Sequence, residues 1–359
     1  MQKLKHLPLE QWPDADHEAF RAAYEPGDVF DETGGPGAHL AEGTRKLIRT
    51  AYRRWLGFLA EHYPDDLLKS PADRITPSRV RDLINHLSAE IRSTSVANVV
   101  DNLCYAARLI APDRDWRWLA SIKRRLAARA KPEDRFDQLV PPWHTLDFGI
   151  ELMDEALALP SNSHKRRELQ YRDGLLLASL SFWPIRRRSI AALTVTRHLE
   201  FDGKGFNILL YPEDTKSKRA ESVRVPEQLV SYVKRYLDEI RPRLRGRSHH
   251  DGLWPSLKGR PLSPGQIYVI VRARVFTKFV KYMGLHDFRR AAATYLAMDA
   301  PEKIGLIPGV LQHASLDVSE HYNLAQSIEA GRRLARYLLK TRSRLRPLSK
   351  KNGDDPCAP

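Results

Sequence analysis

Arg186, Lys216, His286, Arg289, His313 and Tyr322, taken in that order, are the residues of this chain whose types and spacing could do chemistry. Attack on a phosphodiester builds negative charge on the non-bridging oxygens. Two planar guanidiniums, Arg186 and Arg289, could clamp it through paired hydrogen bonds, an electrostatic contribution that asks for no metal. A tyrosine hydroxyl titrates near about 10, so Tyr322 needs a proton acceptor to become a nucleophile. The imidazole of His286 is the candidate, and His313 could donate to a phosphate oxygen or share the acid–base work. The departing 5′-oxygen needs a proton, which the ammonium of Lys216 could deliver. Lys218 is a close rival for that role.

Each member also has a plainer reading. Arg186 opens the run Arg186-Arg187-Arg188, which could be a solvated or phosphate-contacting patch. His286 could cap the helix that begins near Asp287, His313 could be a hydrogen-bonded core histidine, and Tyr322 a packed aromatic. The ordered set, with His286-x-x-Arg289 followed by His313 and then Tyr322 nine residues later, is what sets it apart from any single motif.

The elements that must position these groups are mainly helical. Residues 1–43 show no sustained period and are turn-rich around Gly34-Gly35-Pro36-Gly37, which reads as an N-terminal arm or loosely packed lead-in. From Thr44 helical spacing takes over: Ile48, Ala51, Trp55, Phe58 and Leu59 form an apolar face, with Arg45, Arg49 and Arg53 as a basic stripe beside it. Thr76-Pro77 announces a second helix, Ser93-Thr94-Ser95 a third, and a fourth runs through Leu119 to Leu126 with Lys123 and Arg124 exposed. Residues 44–130 therefore form a compact helical bundle with basic faces, which suits either an ordinary soluble domain or a DNA-binding one. Residues 131–142 read as a linker, because prolines bracket a charged run. In the domain 143–346 the period changes near Leu199. Leu199 and Phe201, the Asp202-Gly203 turn, Phe206 to Leu210, and Val223 with Val225 predict a small antiparallel sheet. Lys216 and Lys218 fall in a polar loop between its last two strands. Helices resume after Pro226 and Ser263-Pro264, and a final basic helix spans 328–346. Residues 347–359 form a tail.

Composition narrows the partner. The 359 residues carry 59 Lys and Arg against 44 Asp and Glu, a formal net charge of +15 spread along the chain, which favours a polyanion. Cys104 and Cys357 lie far apart without metal-ligand spacing, so a disulfide framework or zinc finger is not expected. No apolar run approaches the roughly 18 residues of a membrane span. A soluble protein with no membrane association and no metal site is expected.

The ordered constellation resembles the tyrosine recombinases, the phage integrase family. The resemblance covers roughly residues 143–345, and the helical region before it is similar to that family's core-binding domain. It implies two domains, one helical and one α+β, that form a C-shaped clamp on double-stranded DNA. It further implies strand cleavage through a 3′-phosphotyrosyl linkage, resealing by a second strand's 5′-hydroxyl, and a Holliday junction, without ATP, metal or other cofactor. Arg186, Lys216, His286, Arg289 and His313 would serve Tyr322 as above. Arg45, Arg49, Arg53, Lys123, Arg124, Arg187 and Lys218 are candidate DNA contacts. A homo-tetramer on two DNA sites, accessory DNA-bending proteins and a cytoplasmic, nucleoid-associated location in a bacterial or phage setting would follow. A DNA-binding protein of this fold without turnover, or a type IB topoisomerase-like activity, are the alternatives. Four positions depart from the family pattern: Pro184 for a glycine, Ser189 for an acid that usually supports the site, Gln312 for a glycine, and Arg290 for a histidine.

Overall fold

In a computed structural model the described residues are 6–28, 34–131, 135–160, 165–215, 218 and 220–299. They fall into two compact units divided between Asp134 and Arg135.

The first unit is all helical: α1 (Asp14–Tyr24), α2 (Glu42–His62), α3 (Pro77–Glu90), α4 (Ser93–Ile110) and α5 (Arg117–Arg129). Thr76 caps α3 as its sequence suggests, its side chain accepting from the Arg79 amide at 3.3 Å with Pro77 in the first turn. Trp55, Leu59, Leu83, Leu87 and Leu103 are fully buried on the faces their spacing marks. The lead-in is more firmly attached than its lack of period suggests. Trp12, Phe20 and Ala23 join this core. Asp16 is completely buried, accepting from Tyr52 Oη at 2.5 Å and from Arg74 Nη1 at 2.6 Å. Burial, then the Asp16 carboxylate, pushes the Tyr52 phenol well above its usual range.

The second unit begins with a short 3₁₀ turn, Phe136–Gln138, and α6 (Pro142–Ala158). Here the linker expected at 131–142 needs correction: Leu139 and Val140 are 4% and 2% exposed and belong to this unit's core. Two apolar residues between charged and proline positions gain more from burial than from spacing two domains. The helix α7 (Arg166–Phe182) runs antiparallel to α6 at very close range, as the pairing of Thr145 with Ser181 and of Leu152 with Gln170 shows. Gly149 and Gly174 make this approach possible, since a Cβ on Gly149 would stand 2.7 Å from the Gly174 carbonyl oxygen.

Next come the short helices α8 (Arg187–Ala192) and α9 (Val195–His198) and the three-stranded antiparallel sheet in the order β1 (Leu199–Phe201), β2 (Phe206–Leu210), β3 (Glu221–Arg224). Leu199 pairs with Ile208, and Ile208 with Val223. The Asp202-Gly203 turn closes β1 to β2: Gly203 has φ +88°, and Asp202 Oδ1 accepts from the amides of Lys204 and Gly205. The helices α10 (Glu227–Arg235), α11 (Arg241–Arg245), α12 (Pro264–Phe279) and α13 (Leu285–Asp299) complete the described part. A reciprocal cap between Ser263 and Gln266 starts α12 where Ser263-Pro264 predicts it. The chain is thus mainly α with a small antiparallel sheet, the fold class its periodicity suggests. Among the described residues no helix is long and apolar enough to cross a membrane.

Candidate active site

Arg186 stands at the N-cap of α8 in extended conformation. The segment before it is fixed from beneath by Ile185, which is 1% exposed. The α8 helix is held at its far end by Trp254, whose indole nitrogen donates to the Ile190 carbonyl at 2.9 Å. Arg289 comes from α13, a hundred residues later, and is 4% exposed. Its Nη1 donates to the Pro184 carbonyl at 2.8 Å. Pro184, a departure at sequence level, thereby gives Arg289 a fixed acceptor two residues from Arg186, since proline lacks an amide but keeps its carbonyl.

His286 sits in the first turn of α13. It reaches solvent, yet the protein around its ring holds its pKa below the ordinary imidazole range, with burial as the main cause. Arg290, Arg289 and Arg186 push the same way and Asp287 opposes them. A neutral imidazole beside two guanidiniums can accept a proton near neutral pH.

Arg186, His286 and Arg289 line one cavity of about 450 Å³. Its wall also carries Arg135, Arg187, Arg272 and Arg290, and Asp287 is the one carboxylate among the described lining residues. Tyr268 and Tyr282 complete the polar wall. Arg272 donates to Tyr268 Oη at 3.3 Å and lies 5.0 Å from the Tyr282 ring, while Arg187 lies 5.8 Å from the Tyr268 ring. Guanidiniums in such excess, held on helix termini and aromatic faces, make a site for a polyanion with phosphate-sized charge.

Lys216, His313 and Tyr322 lie outside the described residues. The loop leading to Lys216 is anchored up to Thr215. Ser189 Oγ donates to the Asp214 carbonyl at 3.0 Å, and the Asp214 carboxylate accepts from the Tyr211 amide at 3.1 Å and stands 3.2 Å from His198 Nε2. Ser189, where an acid is usual, therefore ties α8 to this loop through a neutral hydrogen bond. Lys218 is exposed with φ +55°.

The candidate DNA contacts divide. Arg45 donates to the carbonyls of Leu40 and Ala38 and Arg53 to that of Leu7, so these two fasten the lead-in onto α2, while Arg49 pairs with Glu42 within the helix. Lys123 pairs with Asp101 at 2.5 Å and lies 4.8 Å from the Tyr105 ring. Arg124 and Arg187 are exposed. Arg135, Tyr268, Arg272 and Tyr282 are cavity residues that sequence reading passed over. They share no period or motif, and only the fold brings them together.

Comparison with known protein families matches residues 153–327 to the phage integrase family, and that segment contains all six residues of the constellation. That segment, just under half of the chain, is what this chain shares with the phage integrase family. Among tyrosine recombinases, XerD of Chlorobaculum tepidum is 27% identical over 175 residues, 48% of this chain and 55% of that protein. XerC 2 of Ralstonia nicotianae is 27% identical over 217 residues, 59% of each chain. The match thus spans little more than half the length of these two relatives. In fold, the chain is similar to the XerH site-specific recombinase, solved with its palindromic difH substrate in a post-cleavage complex. The TM-score is 0.54 at 16% identity, over 92% of this chain and 99% of that one.

Proposed function

We propose that this protein is a site-specific recombinase that cuts and rejoins double-stranded DNA through a covalent tyrosyl intermediate. The observation that carries the reading is the meeting of Arg186, Arg289 and His286 in one arginine-walled cavity inside the family segment. In this reading the scissile phosphate enters the cavity and its non-bridging oxygens take paired hydrogen bonds from Arg186 and Arg289. Neutral His286 accepts the Tyr322 proton as the phenol attacks phosphorus, and the bond to the 5′-oxygen breaks. Lys216, with Lys218 as the rival, protonates that oxygen, and His313 hydrogen-bonds the phosphate. The 3′-phosphotyrosyl bond keeps the energy of the diester, so a second strand's 5′-hydroxyl can reverse the step without ATP. Two rounds on paired sites, through a Holliday junction, exchange both strands, for which a homo-tetramer on two DNA segments is the natural assembly.

Short nicked duplexes tiled across the DNA flanking the encoding gene test the reading. A nick just past the cut lets the leaving fragment escape, so the wild-type protein should accumulate a DNA adduct stable in SDS. Tyr322→Phe should lose the adduct and keep binding. Tight binding by the wild type with no adduct would instead assign a DNA-binding role without turnover.

A further inference from the structure

The stretch Arg135–Leu139 is bolted to the turn that leads into α13. Arg135 Nη2 donates to the Tyr282 carbonyl at 2.8 Å, and its Nη1 stands 3.5 Å from Asp287 Oδ2. The Tyr282 amide donates to Gln138 Oε1 at 3.1 Å, and Lys281 Nζ to the Leu139 carbonyl at 3.1 Å. Asp287 Oδ2 also accepts from the Gly284 amide at 2.9 Å, so this buried carboxylate closes the turn from inside while Arg135 holds it from the neighbouring segment. His286 lies within that turn, between Gly284 and Asp287.

We propose that Arg135 is a positioning residue for the strand-cleavage reaction, holding the Tyr282–Asp287 turn and balancing the Asp287 carboxylate so that the His286 ring is presented to the cavity as a proton acceptor. The inference rests on the reading of His286 as the acceptor. The charged and titratable groups that line the cavity with His286 are Arg135, Arg186 at the N-cap of α8 and Arg187 within it, Tyr268 and Arg272 from α12, Tyr282 from the turn, and Asp287, Arg289 and Arg290 from α13. Among these Asp287 alone favours the imidazolium, and it is the group that Arg135 pairs. An aspartate left without Arg135 would pull a proton onto His286 and release the Tyr282 carbonyl from its donor, loosening the ring's mount.

Ring-resolved NMR titration of His286, assigned against His286→Gln, tests this alongside single-turnover cleavage of a nicked site across pH. Arg135→Ala should raise the His286 pKa by about half a unit, roughly threefold in its protonation equilibrium. The acid limb of the cleavage profile should move the same way, so activity falls more at low pH than at high pH. Arg135→Gln, which keeps a donor for the Tyr282 carbonyl but no charge, should raise the pKa equally and guards against an unfolded alanine variant. Arg135→Lys should return both readouts toward wild type. An unchanged His286 titration in the alanine and glutamine variants overturns the inference, as does a rate loss that is uniform across pH. The titration reads whether or not DNA is cleaved, so a wild type without adduct removes the proposed reaction while the NMR arm still decides what Arg135 does to His286.

Discussion

Two groups of charged residues in this molecule use arginine in opposite ways. In the helical unit Arg74, about 1% exposed, meets Asp16, which accepts also from Tyr52, and it donates further to the Lys69 and Leu67 carbonyls. Every strong donor there has a fixed acceptor. In the second unit Arg186, Arg289 and their neighbours gather around open space with one carboxylate among the described lining residues. The first arrangement is a fastening, because a paired and fully hydrogen-bonded buried charge has no capacity left for a ligand. The second sets several guanidiniums and one carboxylate around a cavity of about 450 Å³, donors held in place beside space for a ligand as in a preorganised anion site.

Breaking each group should have opposite signatures. Asp16→Ala leaves the Arg74 guanidinium buried without its counterion and should cost about 3–5 kcal/mol of stability. Urea melts would show that loss, while cleavage at low denaturant stays near wild type. Arg186→Ala should do the reverse, leaving the melt almost unchanged and slowing single-turnover cleavage on the order of 10²–10³-fold, the effect of deleting one preorganised donor. Ser189→Ala sharpens the contrast at its smallest scale. Loss of the bond to the Asp214 carbonyl should cost about 1 kcal/mol in the melt, with a severalfold slower cleavage if the loop beyond Thr215 carries the general acid.

The same contrast explains what was legible in the sequence. Helix α2 follows from apolar spacing, and the starts of α3 and α12 at Thr76 and Ser263 from local hydrogen bonding that needs only three or four neighbouring residues. The triad around Asp16 was not legible, since its partners are 36 and 58 residues away and no local pattern links them. For the same reason Arg45, Arg49 and Arg53 read as a basic stripe: spacing gives the face of a helix, not the carbonyls of the lead-in that occupy it. Arg186, His286 and Arg289 stand out in the sequence because the resemblance gives their types in that order, and the fold brings the three to one cavity. Arg135, Tyr268, Arg272 and Tyr282 answer to no such demand and became visible only as walls of the cavity. The linker was misjudged at Leu139 and Val140, where proline and charge signals outweighed two apolar residues that the second unit buries.

If Arg186 acts on phosphate charge, a substrate with that charge removed should no longer depend on it. Wild type and Arg186→Ala would be compared on a nicked site bearing either a phosphate or a neutral methylphosphonate at the scissile position. With one non-bridging oxygen replaced by methyl and the ground-state charge gone, less negative charge is left to stabilise, and the defect of Arg186→Ala should shrink from about 10²–10³-fold on phosphate to within a few fold on methylphosphonate. An equal defect on both substrates would contradict the account and leave Arg186 a residue of structure alone.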